Sequence, residues 1–348
     1  MVNLPSLRYT RSLKNKWLGC ESLDSLWHLL KLNSKKLKLA QQTPVYDVFT
    51  IRKKNGKDRL IENPNDHLKA IQRSINQYLQ AVYYFVKHPA SYGFCMAVKK
   101  DQYPHNVYTH AKQHIGCQYL LNADLKDFFH FISWQRVYDV FENSPFIHNN
   151  ECKKWLCDIT THRERLPMGA PTSPVISNIA ATGLDKALEL FAKRHRFTYT
   201  RFADDLSFSS IDTDPAMLKN EILQTITEHG FVPNLEKVTS FGKKDIKIVT
   251  GLQVGDVVSL GTAYWQKVDM LLQQYISLKC LLQNRPTITL HNQTEEIKEK
   301  IDGFLAFAKG IGRSETDRIE AVENRLGEMG EELETFESLG WDEIPYHF

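Results

Sequence analysis

The sequence predicts an α+β fold, and three observations carry that prediction. Residues 45–65 alternate apolar and polar side chains on both sides of Asn55-Gly56, the strongest short hairpin signal a sequence offers. Two short runs, roughly 197–202 and 205–210, read as strands joined at Ala203-Asp204. Much of the remaining sequence places apolar residues at helical spacing. A small antiparallel sheet flanked by helical parts follows.

The elements run in this order. Leu23, Leu26, Trp27 and Leu30 share one helix face, followed by the Lys-rich "KLNSKKLKLA", which on its own is an ordinary solvated stretch. The hairpin comes next, with Lys53, Lys54, Lys57 and Arg59 near its tip. Leu68, Ile71, Ile75, Leu79 and Val82 then mark a helix. After a segment of mixed character, "CQYLLNADLKDFFHFI" is an apolar strand that runs into Asp124 and then an aromatic pair.

In "LPMGAPTSPVISN" a Gly/Pro-rich loop meets a helix that Ser173 caps, with Pro174 at its first position. Ile179, Leu184, Ala187, Leu188 and Phe191 are its buried side. Strands follow in the region after His229. Two helices then place Leu271, Leu272, Tyr275, Leu278 and Leu282 on one face, and Ile297, Ile301, Phe304, Leu305 and Ala308 on another. Ile319, Val322 and Leu326 keep helical spacing into the acidic end.

With 348 residues, 42% hydrophobic and 11% aromatic, the chain can build a substantial core and more than one lobe, which excludes a disordered scaffold. No stretch approaches the ~18–20 apolar residues of a membrane span. The start "MVNLPSLRYTRSLKNKW" lacks the apolar centre of a secretory signal. A cytoplasmic protein with no membrane partner is expected. Six scattered cysteines fit reduced thiols. A zinc site from Cys95, His105, His110, His114 and Cys117 lacks any Cys-x-x-Cys pair and is disfavoured.

Charge is unevenly spread. Residues 1–120 carry 19 Lys and Arg against 7 Asp and Glu, residues 121–313 carry 23 of each, and residues 314–348 carry 2 against 11. A basic first third beside a neutral middle suggests a polyanion partner. The acidic end could close the last helices, keep non-target nucleic acid away or face a basic partner protein, and the partner-facing surface is favoured.

Asp204 and Asp205 are like charges side by side at a strand junction, where they repel unless a cation lies between them. If the strand ending at Asp124 is their neighbour, three carboxylates converge on one end of a sheet. That set suits Mg²⁺, which takes oxygen ligands and leaves positions for substrate phosphates. Two such ions assist in-line phosphoryl transfer. Taken alone, Asp-Asp is better read as a surface turn. The order Asp124, Phe128-Phe129, the Gly-Ala-Pro-Thr-Ser-Pro loop and then the Asp pair favours the metal reading.

"NADLKDFFHFI", "LPMGAPTSPVISN", "YTRFADDLSFS" and "GFVPNLEKV" resemble the successive palm motifs of reverse transcriptases, and "KKNGKDRLIENPNDHLKAIQRSIN" is similar to their fingers motifs. The resemblance covers about residues 45–310. "NVYTH" at 106–110 and "IVTGL" at 248–252 are similar to the Asn-x-x-x-His and Val-Thr-Gly elements of bacterial retron enzymes.

The resemblance implies a right-hand polymerase. Fingers would span 1–115, the palm 116–261 with an insert near 133–170, and a helical thumb with the acidic tail 262–348. It implies that Asp124, Asp204 and Asp205 hold two Mg²⁺ ions with the carbonyl of Leu125. Phe129 would exclude a 2′-hydroxyl and so select dNTPs, while Phe128 is core. Arg59 and Lys53 would close on the triphosphate, where Arg suits bidentate contact. Gly169, Ala170 and Pro171 would floor the nucleotide, and Lys237 would lie near the departing phosphates.

Phe202 stands where many relatives have Tyr, and Met168 where many have Gln, so two polar contacts near primer and nucleotide are missing. Asn106 and His110 would contact RNA, and Thr250-Gly251 would allow close approach to a strand. Without the motifs, Asn106 is a turn residue and His110 a satisfied histidine.

The family's activity implies a structured non-coding RNA as partner, priming from an internal guanosine 2′-hydroxyl and a branched RNA–DNA product. It also implies an effector protein in phage defence. The alternatives are a group II intron or abortive-infection reverse transcriptase, a catalytically silent RNA-binding scaffold, and a Mg²⁺-dependent nuclease. Arg59 and Phe129 favour polymerisation.

Overall fold

The computed structural model describes residues 4–32, 45–52, 56, 58–143 and 149–337, with side chains up to 327. The chain divides into two compact units, Met1–Thr250 and Gly251–Phe348. No helix among the described residues is long and apolar enough to cross a membrane.

In the first unit, helices α1 (Leu7–Leu18) and α2 (Leu23–Leu29) start at Ser6 and Ser22, whose hydroxyls accept from the Tyr9 and Ser25 amides. Leu13, Trp17 and Leu26 fall on their buried sides. Strands β1 (Tyr46–Arg52) and β2 (Asp58–Pro64) form the expected hairpin, with Arg52 opposite Asp58. Lys53, Lys54, Asn55 and Lys57 lie outside the described residues, so the expectation for Lys53 has no structural counterpart.

Helix α3 (Asp66–Val86) is capped by Asn65 and buries Leu68, Ile71, Ile75, Leu79 and Val82, the stripe read from spacing. The short α4 (Val107–Lys112) precedes β3 (Tyr119–Asp124), and α5 (Trp134–Glu142) and α6 (Asn150–Thr160) follow it.

One expected helix is two. Helix α7 (Ser173–Ala180) stops and α8 (Thr182–His195) restarts beyond Ala181. Ser173 is not the cap either: it lies inside α7, and its hydroxyl donates 2.7 Å to the Pro167 carbonyl, which secures the preceding loop. Leu184 and Leu188 are buried as expected.

Strands β4 (Thr198–Phe202) and β5 (Asp205–Ser210) close on the two residues Ala203 and Asp204. Helix α9 (Lys219–Glu228), strand β6 (Thr239–Phe241) and strand β7 (Lys247–Val249) complete the unit. The palm-like sheet has the order β4-β5-β3-β6, with every neighbouring pair antiparallel. One continuous core joins it to the helices through Leu121, Ala123, Leu206, Phe208, Ile75, Leu79 and Val175.

The second unit opens with a hairpin of β8 (Leu252–Val254) and β9 (Val258–Leu260), then α10 (Thr262–Asn284), α11 (Ile288–Ile311) and α12 (Thr316–Glu337). Leu271, Leu272, Tyr275, Ile301, Leu305, Ala308, Ile319 and Val322 are buried between them. Glu315, also buried, accepts from the Leu260 amide at 2.8 Å and from Trp265 Nε1 at 2.9 Å, tying hairpin to helices. This is an α+β fold.

Candidate active site

Register brings the three expected carboxylates together. Asp124 is the last residue of β3 and pairs with Asp205, the first of β5, so both stand at one end of the sheet. Asp204 lies in the intervening turn, and its carbonyl accepts from the Leu125 amide at 2.9 Å. Ala203 takes φ +58°, the sign that a two-residue hairpin loop of this hand asks of its first position. Such strain in a non-glycine residue persists only where the surroundings hold it.

Those surroundings are a buried ion pair. Arg201, fully buried, grips Asp185 with two nitrogens at 2.7 and 2.6 Å. Its remaining donors reach Asn178 Oδ1 at 2.9 Å, the Ala203 carbonyl at 2.9 Å and Ser91 Oγ at 3.1 Å. Asn178 in turn donates 2.7 Å to the Gly93 carbonyl. Gly93 lies against the turn so closely that a Cβ there would come within 2.4 Å of the Ala203 nitrogen.

Asp124 is buried, and Lys237 Nζ and Asn234 Nδ2 donate to its two oxygens at 2.6 and 2.9 Å. The Asp204 carboxyl is raised, by desolvation first and the Asp124 charge second. The Asp205 carboxyl is pushed to about 7 by desolvation, then by Asp204 and Asp124. Solvent reaches Asp205, so the neighbouring charges are the more durable cause.

Among the described residues, no group of three or more His, Cys, Asp or Glu side chains is already arranged to hold a metal ion. The donor set still fits a hard divalent ion. It offers oxygens from three carboxylates whose mutual repulsion a cation would relieve, and one of them is already held by a cationic Lys. Around Leu125 the bridge to Pro233 uses the Asp124 carbonyl and the Lys126 amide, leaving the Leu125 carbonyl outside that ladder.

Phe128 is buried and Phe129 half-buried, the division expected. Arg59 is exposed on β2, and its charge lowers Asp204. Gly169 has φ +135° and lies where a Cβ would meet the Glu62 carbonyl at 2.8 Å, so only glycine lets the loop reach the hairpin. Ala170 is buried and Pro171 half-buried beside it. Glu62, fully buried, clamps this loop: it receives Arg165 through both oxygens at 2.9 and 3.1 Å, and its amide donates to the Met168 carbonyl at 2.7 Å.

Asn106 caps α4, its Oδ1 accepting from the Thr109 amide at 2.9 Å. His110, fully buried on α4, meets Thr250 Oγ1 through Nδ1 at 3.2 Å, while its Nε2 has no partner among the described residues. Thr250 has φ +47°, unusual for a β-branched residue. Phe202 packs on the His110 ring with centroids 5.6 Å apart. Asn122, on the Asp124 side of β3, holds the same segment by donating 2.7 Å to the Ile248 carbonyl. Gly251, φ +84°, begins the other unit.

The disfavoured zinc set does not assemble. His114 sits between Ser209 Oγ at 2.6 Å and Thr200 Oγ1 at 2.7 Å, His105 meets the Ser91 carbonyl at 2.6 Å, and all six cysteines are free.

A model of the family described as reverse transcriptase (RNA-dependent DNA polymerase) matches residues 51–254. The retron Ec73 reverse transcriptase of Escherichia coli is 30% identical over 280 residues, spanning 76% of this chain and 82% of that one. The retron Ec86 reverse transcriptase of the same organism is 28% identical over 278 residues, with 76% and 82% covered. The retron Mx162 reverse transcriptase of Myxococcus xanthus is 28% identical over 333 residues, 86% of this chain and 66% of that one. Among solved structures, Candida albicans telomerase is similar at 10% identity with a TM-score of 0.47, over 83% of this chain and 60% of that one.

Proposed function

This chain belongs to the reverse transcriptase family and, within it, to the bacterial retron type, and on that premise we propose how its residues act. It is an RNA-directed DNA polymerase. Asp124, Asp204 and Asp205, with the Leu125 carbonyl, would hold two Mg²⁺ ions. When bound, these would activate the primer hydroxyl and stabilise the leaving pyrophosphate.

The remaining roles belong to the chain's own groups. Lys237, which donates to Asp124, would turn toward the departing phosphates. Arg59, with Lys53, neutralises the triphosphate from the hairpin. The loop at Gly169, Ala170 and Pro171 supports the base pair, held in place by Glu62 and Arg165. Phe129 excludes the 2′-hydroxyl. Phe202 gives the primer end an apolar ring, and Met168 leaves the nucleotide without a side-chain hydrogen bond there.

The template is a cognate structured RNA. Fingers would span 1–115, the palm 116–261 and the thumb 262–348, and Asn106, His110, Thr250 and Gly251 would face the RNA. Synthesis starts from an internal guanosine 2′-hydroxyl, gives a branched RNA–DNA product in the cytoplasm, and serves phage defence with an effector protein.

The observation that carries this reading is the antiparallel pairing of Asp124 with Asp205 beside Asp204. The test is expression of the gene with its flanking DNA. A short DNA joined to an internal guanosine of a neighbouring RNA is expected from the native chain and none from Asp204→Ala. Free DNA without an RNA junction would refute the priming route.

A further inference from the structure

Phe94 takes φ +56°, a region a bulky side chain enters only at a cost. Both neighbourhoods of that residue are pinned. Gly93 abuts the Ala203 nitrogen, and its carbonyl accepts from Asn178, while the Phe94 carbonyl accepts from Gln80 Nε2 at 2.9 Å. The direction of the Phe94 Cα–Cβ bond is thereby fixed. Glycine would meet the backbone demand without strain, so what this position supplies is the ring.

That ring stands against Phe129, centroids 5.9 Å apart and planes inclined by 31°. On its other side Phe129 meets Phe128, at 5.8 Å and 37°, and Phe128 is core, packed on Phe231 at 5.6 Å. Phe129 is therefore confined between a core ring and a half-buried ring, and the half-buried one hangs on the segment that touches the catalytic turn. An apolar wall that can yield rejects an added hydroxyl by only ~100-fold. Refusing a 2′-hydroxyl more strongly requires a ring that cannot tilt away.

We infer that Phe94 is a specificity-determining residue that braces Phe129 and so sets the discrimination between deoxy- and ribonucleotides. This rests on the reading of Phe129 as the sugar gate. The measured quantity is the ratio of kcat/KM for a dNTP to that for the matching rNTP, in primer extension by the full chain on an RNA template. A purely structural role lowers both values together and leaves the ratio unmoved.

Phe94→Gly keeps the backbone conformation and removes the ring, so the ratio is expected to fall about five- to tenfold. Phe129→Ala should lower it further, and adding Phe94→Gly to Phe129→Ala should change little, because both act through one wall. A ratio unchanged in Phe94→Gly but lowered in Phe129→Ala overturns the inference and leaves the gate standing. A ratio unchanged in both shows that the gate reading itself has failed, and this inference with it. Should Phe94→Gly not fold, Phe94→Asn, which tolerates the same backbone, is read by the same criteria.

Discussion

Arg201 reaches across the interior to Asp185 with two bonds of 2.7 and 2.6 Å, and the same guanidinium holds the carbonyl of Ala203 at 2.9 Å. The turn that carries two repelling aspartates is thus fastened from behind by a buried pair. Removing one partner strands a charge in the core, where breaking such pairs costs ~3–5 kcal/mol. Asp185→Asn is expected to lower the urea midpoint accordingly and to slow DNA synthesis. Arg201→Lys is expected to fail as a replacement, because one ammonium cannot make the forked contacts.

Gly93→Ala is expected to inactivate with less loss of stability. The added methyl would sit 2.4 Å from the Ala203 nitrogen, so the turn must shift. A displacement of about 1 Å near the chemistry costs ~100-fold in rate. Single-turnover primer extension beside a thermal melt separates the two effects. Wild-type turnover in a folded Gly93→Ala would show that the turn tolerates the shift.

The stability contributed by His110 and His114 should fall as pH drops from 7 to 4.5, against an opposite contribution from Asp205, whose raised carboxyl gains a proton in the folded chain over the same range. Desolvation holds His110 at about 3 and His114 at about 4, below their ordinary 6.5. The unfolded chain therefore takes up protons below 6.5 that the folded chain refuses, so the stability present above 6.5 is lost on acidification. Replacing His114 by Gln should flatten the slope by one proton, ~1.4 kcal/mol per pH unit. Denaturant midpoints across this range check it, and an unchanged slope would place His114 in contact with solvent.

Thr250→Ala removes the partner of His110 Nδ1, a residue whose Nε2 already lacks one among the described residues. An unsatisfied buried group costs ~1–3 kcal/mol. The expected outcome is a lower melting temperature and weaker binding of the cognate RNA, with extension on an unrelated template less affected. Equal loss on both templates would remove Thr250 from RNA recognition.

Local chemistry made part of this legible in the sequence. The stripe from Leu68 to Val82, the hairpin flanking residues 53–57, and the strands meeting at Ala203-Asp204 each follow from spacing or turn residues within one element. The paired carboxylates were readable because like charges at a strand junction demand a reason. What holds them was not. Arg201 and Asp185 are 16 residues apart, Glu62 and Arg165 103, and His110 and Thr250 140. No periodicity links such partners. Gly93 showed only as one glycine in a segment of mixed character, since its reason is the Ala203 turn far along the chain. The break between α7 and α8 was hidden because Ala181 continues the apolar pattern.

The central claim is that Asp124, Asp204 and Asp205 carry the phosphoryl transfer and that their mutual repulsion is what divalent metal relieves. Asp205→Asn tests both halves at once. The folded carboxyl sits at about 7, far above its ordinary 3.8, so at pH 8 its charge opposes folding and the amide should not. The account predicts that, relative to wild type, Asp205→Asn in EDTA melts at the same or a higher temperature. In Mg²⁺ with dNTPs, a primer and an RNA template, it should lose DNA synthesis by ~1000-fold or more. Synthesis at the wild-type rate by a folded Asp205→Asn would contradict it.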